Sequence, residues 1–135
     1  MGARFWISGV VTFVVVMMGG FLIHGTLLQA DYLAQPQLMR SETDSQAHFH
    51  WMILANLLLG FGFTWIYRKG REAGKPWLGQ GLRFGVALAV TFAAPMYLIY
   101  YVVQPWPASM VMKQIGFETI MALVTGVVLA AINRD

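Results

Sequence analysis

The stretch FWISGVVTFVVVMMGGFLIHGTLLQA, residues 5–30, contains no Asp, Glu, Lys or Arg. A helix rises about 1.5 Å per residue, so a run of this length can cross the roughly 30 Å apolar core of a bilayer. A cleaved signal peptide has a shorter apolar core and a small-residue cleavage site, which LLQA, residues 27–30, does not provide. The stretch therefore predicts a retained transmembrane helix.

The composition of the whole chain agrees with a membrane protein. Of its 135 residues, 58% are hydrophobic and 11% are charged, whereas a soluble domain has about 25% charged residues. Three more apolar blocks predict a single domain, residues 1–135, with helices at about 5–29, 45–67, 80–103 and 110–132. Backbone inside lipid must satisfy its own hydrogen bonds, so the predicted class is an all-α, polytopic membrane protein with an up-and-down bundle of four transmembrane helices. The absence of cysteine excludes disulfides and thiol chemistry.

The basic residues indicate the orientation. At or beside the predicted loop 68–79 lie Arg68, Lys69, Arg71, Lys75 and Arg83, whereas the loop 30–44 is mainly acidic. By the positive-inside rule the basic loop is cytoplasmic, which places both termini in the cytoplasm. We therefore expect a multi-pass protein of the inner (plasma) membrane. Its partners are the lipid bilayer and either a second copy or a larger membrane complex, and its basic charge does not indicate nucleic-acid binding.

Each predicted helix places one polar residue about 8–11 Å below the surface on the side of the acidic loop. These residues are His24, Asn56, Tyr97 and Glu118. Ionisable groups at this depth are costly unless they face the bundle interior or water, so they indicate a functional site. Because the fourth helix neighbours the first in an up-and-down bundle, we predict a contact between His24 and Glu118. Gln114 lies one turn before Glu118 on the same face.

Two histidines lie close together in QAHFHWM, residues 46–52. If the second helix begins near Asp44 as its N-cap, His48 and His50 point about 200° apart and cannot share a metal ion. Asp44, His48 and Asn56 then share a face that leads from the loop to the polar layer. The predicted lining of a pocket that opens outward is His24, Asp31, Asp44, His48, Asn56, Tyr97, Gln114 and Glu118.

A metal site would need His24 and His48 together with a carboxylate such as Asp31 or Glu118, and a bis-histidine haem would use the same two histidines. Neither arrangement has a characteristic motif, so no metal or other cofactor is predicted. The loop 30–44 is expected to lie on the membrane surface or to fold over the mouth of the bundle.

Small residues predict where helices pack closely. The third helix carries Gly81, Gly85, Ala89 and Ala93 at four-residue intervals, and Gly60, Gly62, Gly116 and Gly126 are candidates to receive neighbouring helices. Pro95 removes one backbone hydrogen bond and should kink the third helix.

The whole chain resembles the small four-helix inner-membrane proteins of bacteria for which no function is established. The resemblance rests on IHGTLL (residues 23–28), GLRFG (81–85) and APMYLIYYVVQPWPAS (94–109). It implies a bacterial source but no catalytic residues. The chain matches neither the small multidrug exporters, which carry their essential carboxylate in the first helix, nor the fluoride channels.

Three classes of function remain open. In the first, the polar layer binds or transports a small solute, an ion or a proton. In the second, the protein is an accessory or scaffolding subunit, and the layer is a structural clasp. In the third, it is a membrane enzyme acting on a lipid-soluble substrate. We expect the first, and nothing in the sequence specifies an enzyme.

Overall fold

The computed structural model describes residues 2–134, in which all regular structure is helical. The helices are α1 (Ala3–Leu27), α2 (Gln29–Leu33), α3 (Glu42–Ala47), α4 (Phe49–Gly70), α5 (Trp77–Val103) and α6 (Ala108–Ile132). A 3₁₀ turn, Pro36–Leu38, lies between α2 and α3. Four of the helices, α1, α4, α5 and α6, are long and apolar enough to cross a membrane.

The four spans begin where local chemistry allows a helix to start. Pro76 and Pro107 occupy the N-cap positions of α5 and α6, and a proline at a helix start costs no hydrogen bond because its N–H would have no intrahelical acceptor. α5 therefore begins at Trp77, earlier than predicted. α4 begins at Phe49, later than predicted, because the backbone of His48 (φ −102°, ψ 2°) separates it from α3.

The connection between α1 and α4, residues 28–48, is largely helical. Its last helix, α3, is capped by Ser41, whose Oγ accepts a hydrogen bond from the Asp44 N–H at 3.2 Å. The prediction that Asp44 caps the second span was wrong. Asp44 lies in the first turn of α3, where a carboxylate is favoured by the helix dipole. We call the end of the bundle beside this connection the connection end, and the end beside residues 71–76 the basic end.

The spans pack mainly as two pairs, α1 with α4 and α5 with α6. In each pair a glycine permits backbone contact, since a Cβ on Gly60 would lie 2.7 Å from Phe13 N, and a Cβ on Gly85 would lie 2.6 Å from Leu123 Cα. Lipid offers little hydrophobic drive for helix association, so close approach of this kind contributes much of the packing energy.

The predicted packing glycines divide into two groups. Gly60 and Gly126 receive neighbouring helices, as predicted. For Gly62 and Gly116 the prediction was wrong, because a Cβ at either position would meet no atom of another helix within 4 Å. These two glycines lie on faces that the four-helix packing leaves open.

Two spans contain a π-helical turn, Ile23–Leu27 in α1 and Ala89–Ala93 in α5. The turn in α5 comes directly before Ala94 and Pro95, which begin the next α-helical stretch. Proline lacks the N–H that would bond one turn back. The disturbance predicted at Pro95 thus takes the form of a widened turn.

The two helix pairs are joined at the basic end. Tyr67 and Leu129 belong to a buried apolar cluster there. Asn133 is buried, donates from Nδ2 to Ser8 Oγ at 2.9 Å, and accepts at Oδ1 from Arg68 at 2.9 Å. One side chain therefore links α1 and α4 to the end of α6.

We expect Gly85→Ala to destabilise the protein by about 1–3 kcal/mol, the usual cost of forcing extra atoms into a packed contact. The nearest atom to the new methyl group would be Leu123 Cα, which is backbone and cannot rotate away. The measurement is denaturant unfolding in detergent. Gly116→Ala on α6 is the matched control and should be neutral or slightly stabilising. Equal losses in the two variants would contradict the close crossing.

Candidate functional site

Polar side chains from three spans meet at Glu118. His24 Nε2 of α1 lies 3.0 Å from Glu118 Oε1 of α6, which confirms the predicted contact. The Tyr97 hydroxyl of α5 lies 3.3 Å from the same oxygen and 3.3 Å from His24 Nε2. The contacts therefore tie both helix pairs together away from the basic end.

His24 lies in the π turn of α1. A π turn accommodates an extra residue and is frequent at functional sites. The turn closes at Leu28, whose N–H donates to the Ile23 carbonyl at 2.8 Å and whose side chain is fully buried. α2 begins at the next residue and brings Tyr32 back against His24.

Tyr32 belongs to this site, although the sequence analysis did not identify it. Its hydroxyl lies 2.7 Å from His24 Nδ1 and accepts a hydrogen bond from Gln114 Nε2 at 3.0 Å. Burial raises the pKa of Tyr32 above its ordinary value, so its hydroxyl keeps its proton at neutral pH. The sequence contained one indication of this role, because Tyr32 is the only tyrosine between the first two predicted spans. We call His24, Tyr32, Tyr97, Gln114 and Glu118 the polar cluster.

One assignment of hydrogen-bond donors and acceptors accounts for the contacts of the polar cluster. The Tyr32 oxygen accepts from Gln114 and, in this arrangement, directs its own proton at His24 Nδ1. His24 is then a neutral imidazole that donates from Nε2 to Glu118 Oε1. Tyr97 donates to the same oxygen. In this assignment Glu118 is the carboxylate that receives both donors.

Four members of the polar cluster, His24, Tyr32, Tyr97 and Glu118, line a cavity of about 1090 Å³, and Gln114, which was also predicted to line it, does not. All four spans and the α1–α4 connection contribute to its walls, which are mostly apolar. Five of the nine methionines line it: Met17, Met39, Met52, Met96 and Met121. An apolar cavity with a few polar groups gathered at one place is typical of sites for small molecules, and methionine adapts readily to different ligand shapes.

The cavity is lined by apolar residues toward both ends of the bundle. Toward the basic end, Phe63 of α4 and Phe92 of α5 meet edge to face with ring centroids 5.8 Å apart. Toward the connection end, Leu33, Pro36 and Met39 line it. The α1–α4 connection therefore borders the cavity, in agreement with the prediction that this segment folds over the mouth of the bundle.

Two predicted pocket residues lie near the polar cluster but make other contacts. Asn56 lines the cavity, yet its Nδ2 donates to the Met52 carbonyl of its own helix at 2.8 Å. Asp31 accepts a hydrogen bond from Lys113 Nζ at 2.9 Å. Lys113 is thus ion-paired with α2.

Asp44 and His48 form a surface group with Arg40. Arg40 Nη1 lies 2.6 Å from Asp44 Oδ2 and holds the pKa of that carboxyl below its usual value, while His48 Nδ1 lies 2.8 Å from the Asp44 carbonyl. Asp44 and His48 lie outside the cavity lining. The predicted face from Asp44 to Asn56 was wrong because the chain leaves the helix at His48. His50 packs against Trp51, with ring centroids 5.0 Å apart.

Within residues 2–134, no three His, Cys, Asp or Glu side chains lie close enough together to hold a metal ion. His24 contacts Tyr32 and Glu118, whereas His48 contacts Asp44. The metal and bis-histidine haem hypotheses, which combined His24 with His48, therefore gain no support from the geometry of the described residues.

A double-mutant cycle tests the central contact of the polar cluster. We expect His24→Phe and Glu118→Leu each to lower the free energy of unfolding, and the pair to show a coupling of about 1 kcal/mol, as measured for side-chain hydrogen bonds between membrane helices. The coupling arises because each single variant leaves its partner unpaired. His24→Phe combined with Glu72→Leu, at the basic end, should be additive. Strict additivity of His24→Phe and Glu118→Leu would contradict the contact.

Comparison with known proteins gives no precedent for this arrangement. No protein-family model, no curated protein and no solved structure matches the chain. The resemblance to small four-helix bacterial membrane proteins therefore stays a prediction. The function proposed for the site therefore rests on its own residues.

Proposed function

We propose that this chain is an integral membrane protein that binds a small amphipathic molecule in the cavity, with the polar end of the ligand at the polar cluster. One observation carries the proposal. The polar cluster, centred on Glu118, lies on the wall of a large apolar cavity. The proposal keeps the expectation of small-solute binding and replaces a purely polar pocket with an amphipathic one.

The packing supports entry of the ligand from the bilayer. α4 packs mainly on α1 and α5 mainly on α6, so α4 and α5 touch only sparsely. Met52 on α4 and Met96 on α5 both line the cavity, although they are 47% and 40% exposed. In a bilayer, the gap between α4 and α5 opens onto lipid.

A structural clasp in an accessory subunit is the second candidate. It is favoured by the number of helices that the polar cluster joins, since hydrogen bonds among its members connect α1, α2, α5 and α6. A clasp and a binding site differ in one respect that can be measured. A clasp retains no ligand when the protein is purified.

We propose further that the bundle is up-and-down with both termini in the cytoplasm of a bacterial cell, in the inner membrane. The basic residues of the loop 71–76 and of the adjoining helix ends support this orientation through the positive-inside rule. The ion pair between Arg83 and Glu72 and the hydrogen bonds of Gln80 to this loop keep its charges at the basic end.

The orientation can be tested directly because the chain contains no cysteine. In spheroplasts, we expect a membrane-impermeant maleimide to label Ser45→Cys, on the exposed surface of α3, without permeabilisation. Ala73→Cys, in the exposed basic loop, should be labelled only after the membrane is opened. The reverse pattern would overturn the orientation.

The binding function predicts a retained ligand. Purified in mild detergent and examined by native mass spectrometry, the protein should carry one small molecule above the background of bulk lipid. Met96→Trp should weaken this retention because the larger ring occupies part of the cavity. Ile99→Trp, on the same helix, 61% exposed and outside the cavity lining, should not. No retained molecule, or equal retention by both variants, would favour the clasp.

A further inference from the structure

We propose that the ligand of this cavity is a cation, an amphipathic amine whose ammonium group binds the second carboxylate oxygen of Glu118. This inference rests on the proposed function and names its ligand class. Three observations carry it: an unpaired carboxylate oxygen, the absence of a compensating cation in the polar cluster as described, and the aromatic residues that share the cavity with Glu118.

The two oxygens of the Glu118 carboxylate have different surroundings. Oε1 receives both His24 Nε2 and the Tyr97 hydroxyl, whereas Oε2 has no hydrogen-bond partner among residues 2–134. Oε2 is not sealed in the protein either, since in this part of the chain the only buried side-chain polar atom without a partner is Thr12 Oγ1. The Glu118 side chain is 23% exposed and lines the cavity. An accessible acceptor is therefore available to a ligand that donates hydrogen bonds.

The charge balance of the polar cluster favours a cationic donor. The polar cluster contains no Lys or Arg, and in the arrangement with a neutral His24 none of its side chains offsets the carboxylate. Lys113, the nearest basic residue along α6, is paired with Asp31. A carboxylate within a membrane span is costly unless it faces the bundle interior or water or is paired, and a positive group pairs with it directly. An ammonium ion supplies that charge and up to three hydrogen-bond donors.

The walls near Glu118 suit the rest of such a ligand. Tyr97 and Tyr100 line the cavity on the same helix, and Phe92 lies one turn before Met96 on this wall. Aromatic faces attract ammonium groups through their quadrupoles, and the methionines accept apolar groups of varied shape. The same carboxylate should disfavour an anionic ligand, because like charges repel strongly at low dielectric.

Three matched probes test the inference: 2-naphthylmethylammonium, 2-naphthylmethanol and 2-naphthoate, which share one ring system and differ in charge. Binding to the full-length protein in lipid nanodiscs is measured against empty nanodiscs. We expect the ammonium to bind about 10- to 100-fold more tightly than the alcohol, the range that a hydrogen bond to a charged group supplies, and the carboxylate to bind least.

Variants identify the carboxylate involved. Glu118→Gln should reduce binding of the ammonium toward that of the alcohol and reduce binding of the alcohol much less, because the alcohol carries no charge. Retained binding of the alcohol also shows that the cavity remains folded. Glu72→Gln is the control, because Glu72 lies at the basic end, outside the lining of this cavity, and pairs with Arg83. It should leave all three affinities unchanged.

The outcomes separate this inference from the function on which it rests. If the ammonium and the alcohol bind equally well, or if Glu118→Gln leaves binding of the ammonium intact, the ligand is not selected by charge at Glu118, and the inference is overturned while cavity binding stands. If none of the three probes binds above empty nanodiscs, both the inference and the proposed function are overturned.

Discussion

Close backbone contact within two helix pairs is the constraint on which the rest of the structure depends. Gly60 lets α4 approach α1, and Gly85 lets α5 approach α6, to distances that a side chain would prevent. Asn133 and the buried cluster around Leu129 then hold the pairs together at the basic end. Toward the connection end the pairs separate around a cavity of about 1090 Å³. The candidate site is the space that this pairing leaves between the helices.

The polar cluster contributes to the wall of that cavity. A cluster whose only role was to hold helices together would gain most if every polar atom in it were satisfied, because each unpaired atom in a region of low dielectric costs free energy. Glu118 instead satisfies one oxygen and leaves the other accessible. This asymmetry is what a binding site requires, since the ligand completes the set of hydrogen bonds.

The sequence was informative wherever one strong constraint acted alone. Long apolar blocks predicted the four apolar helices, because backbone within lipid has few other solutions. The similar depth of His24 and Glu118 predicted their contact, because depth follows from the fixed helical rise. Gly81 and Gly85 predicted a close crossing, because only small residues permit one.

The sequence was less informative where several weak preferences competed. The break at His48 depends on a local backbone conformation, and Ser41 and Asp44 are both good N-cap residues, so the start of α3 and α4 was not decided by residue type. Tyr32 reaches His24 only because a π turn and a short helix reverse the chain. Asn56 has the predicted depth, but its amide is satisfied by its own backbone. Such outcomes depend on tertiary geometry that residue spacing does not contain.

The most direct test of the central claim is an experimental structure of the protein purified with the lipids of its own membrane. The account predicts ordered ligand density between α4 and α5, with its polar end within hydrogen-bonding distance of Glu118 Oε2. A structure in which α4 packs tightly against α5, the cavity is filled by side chains and both Glu118 oxygens are paired within the protein would contradict it.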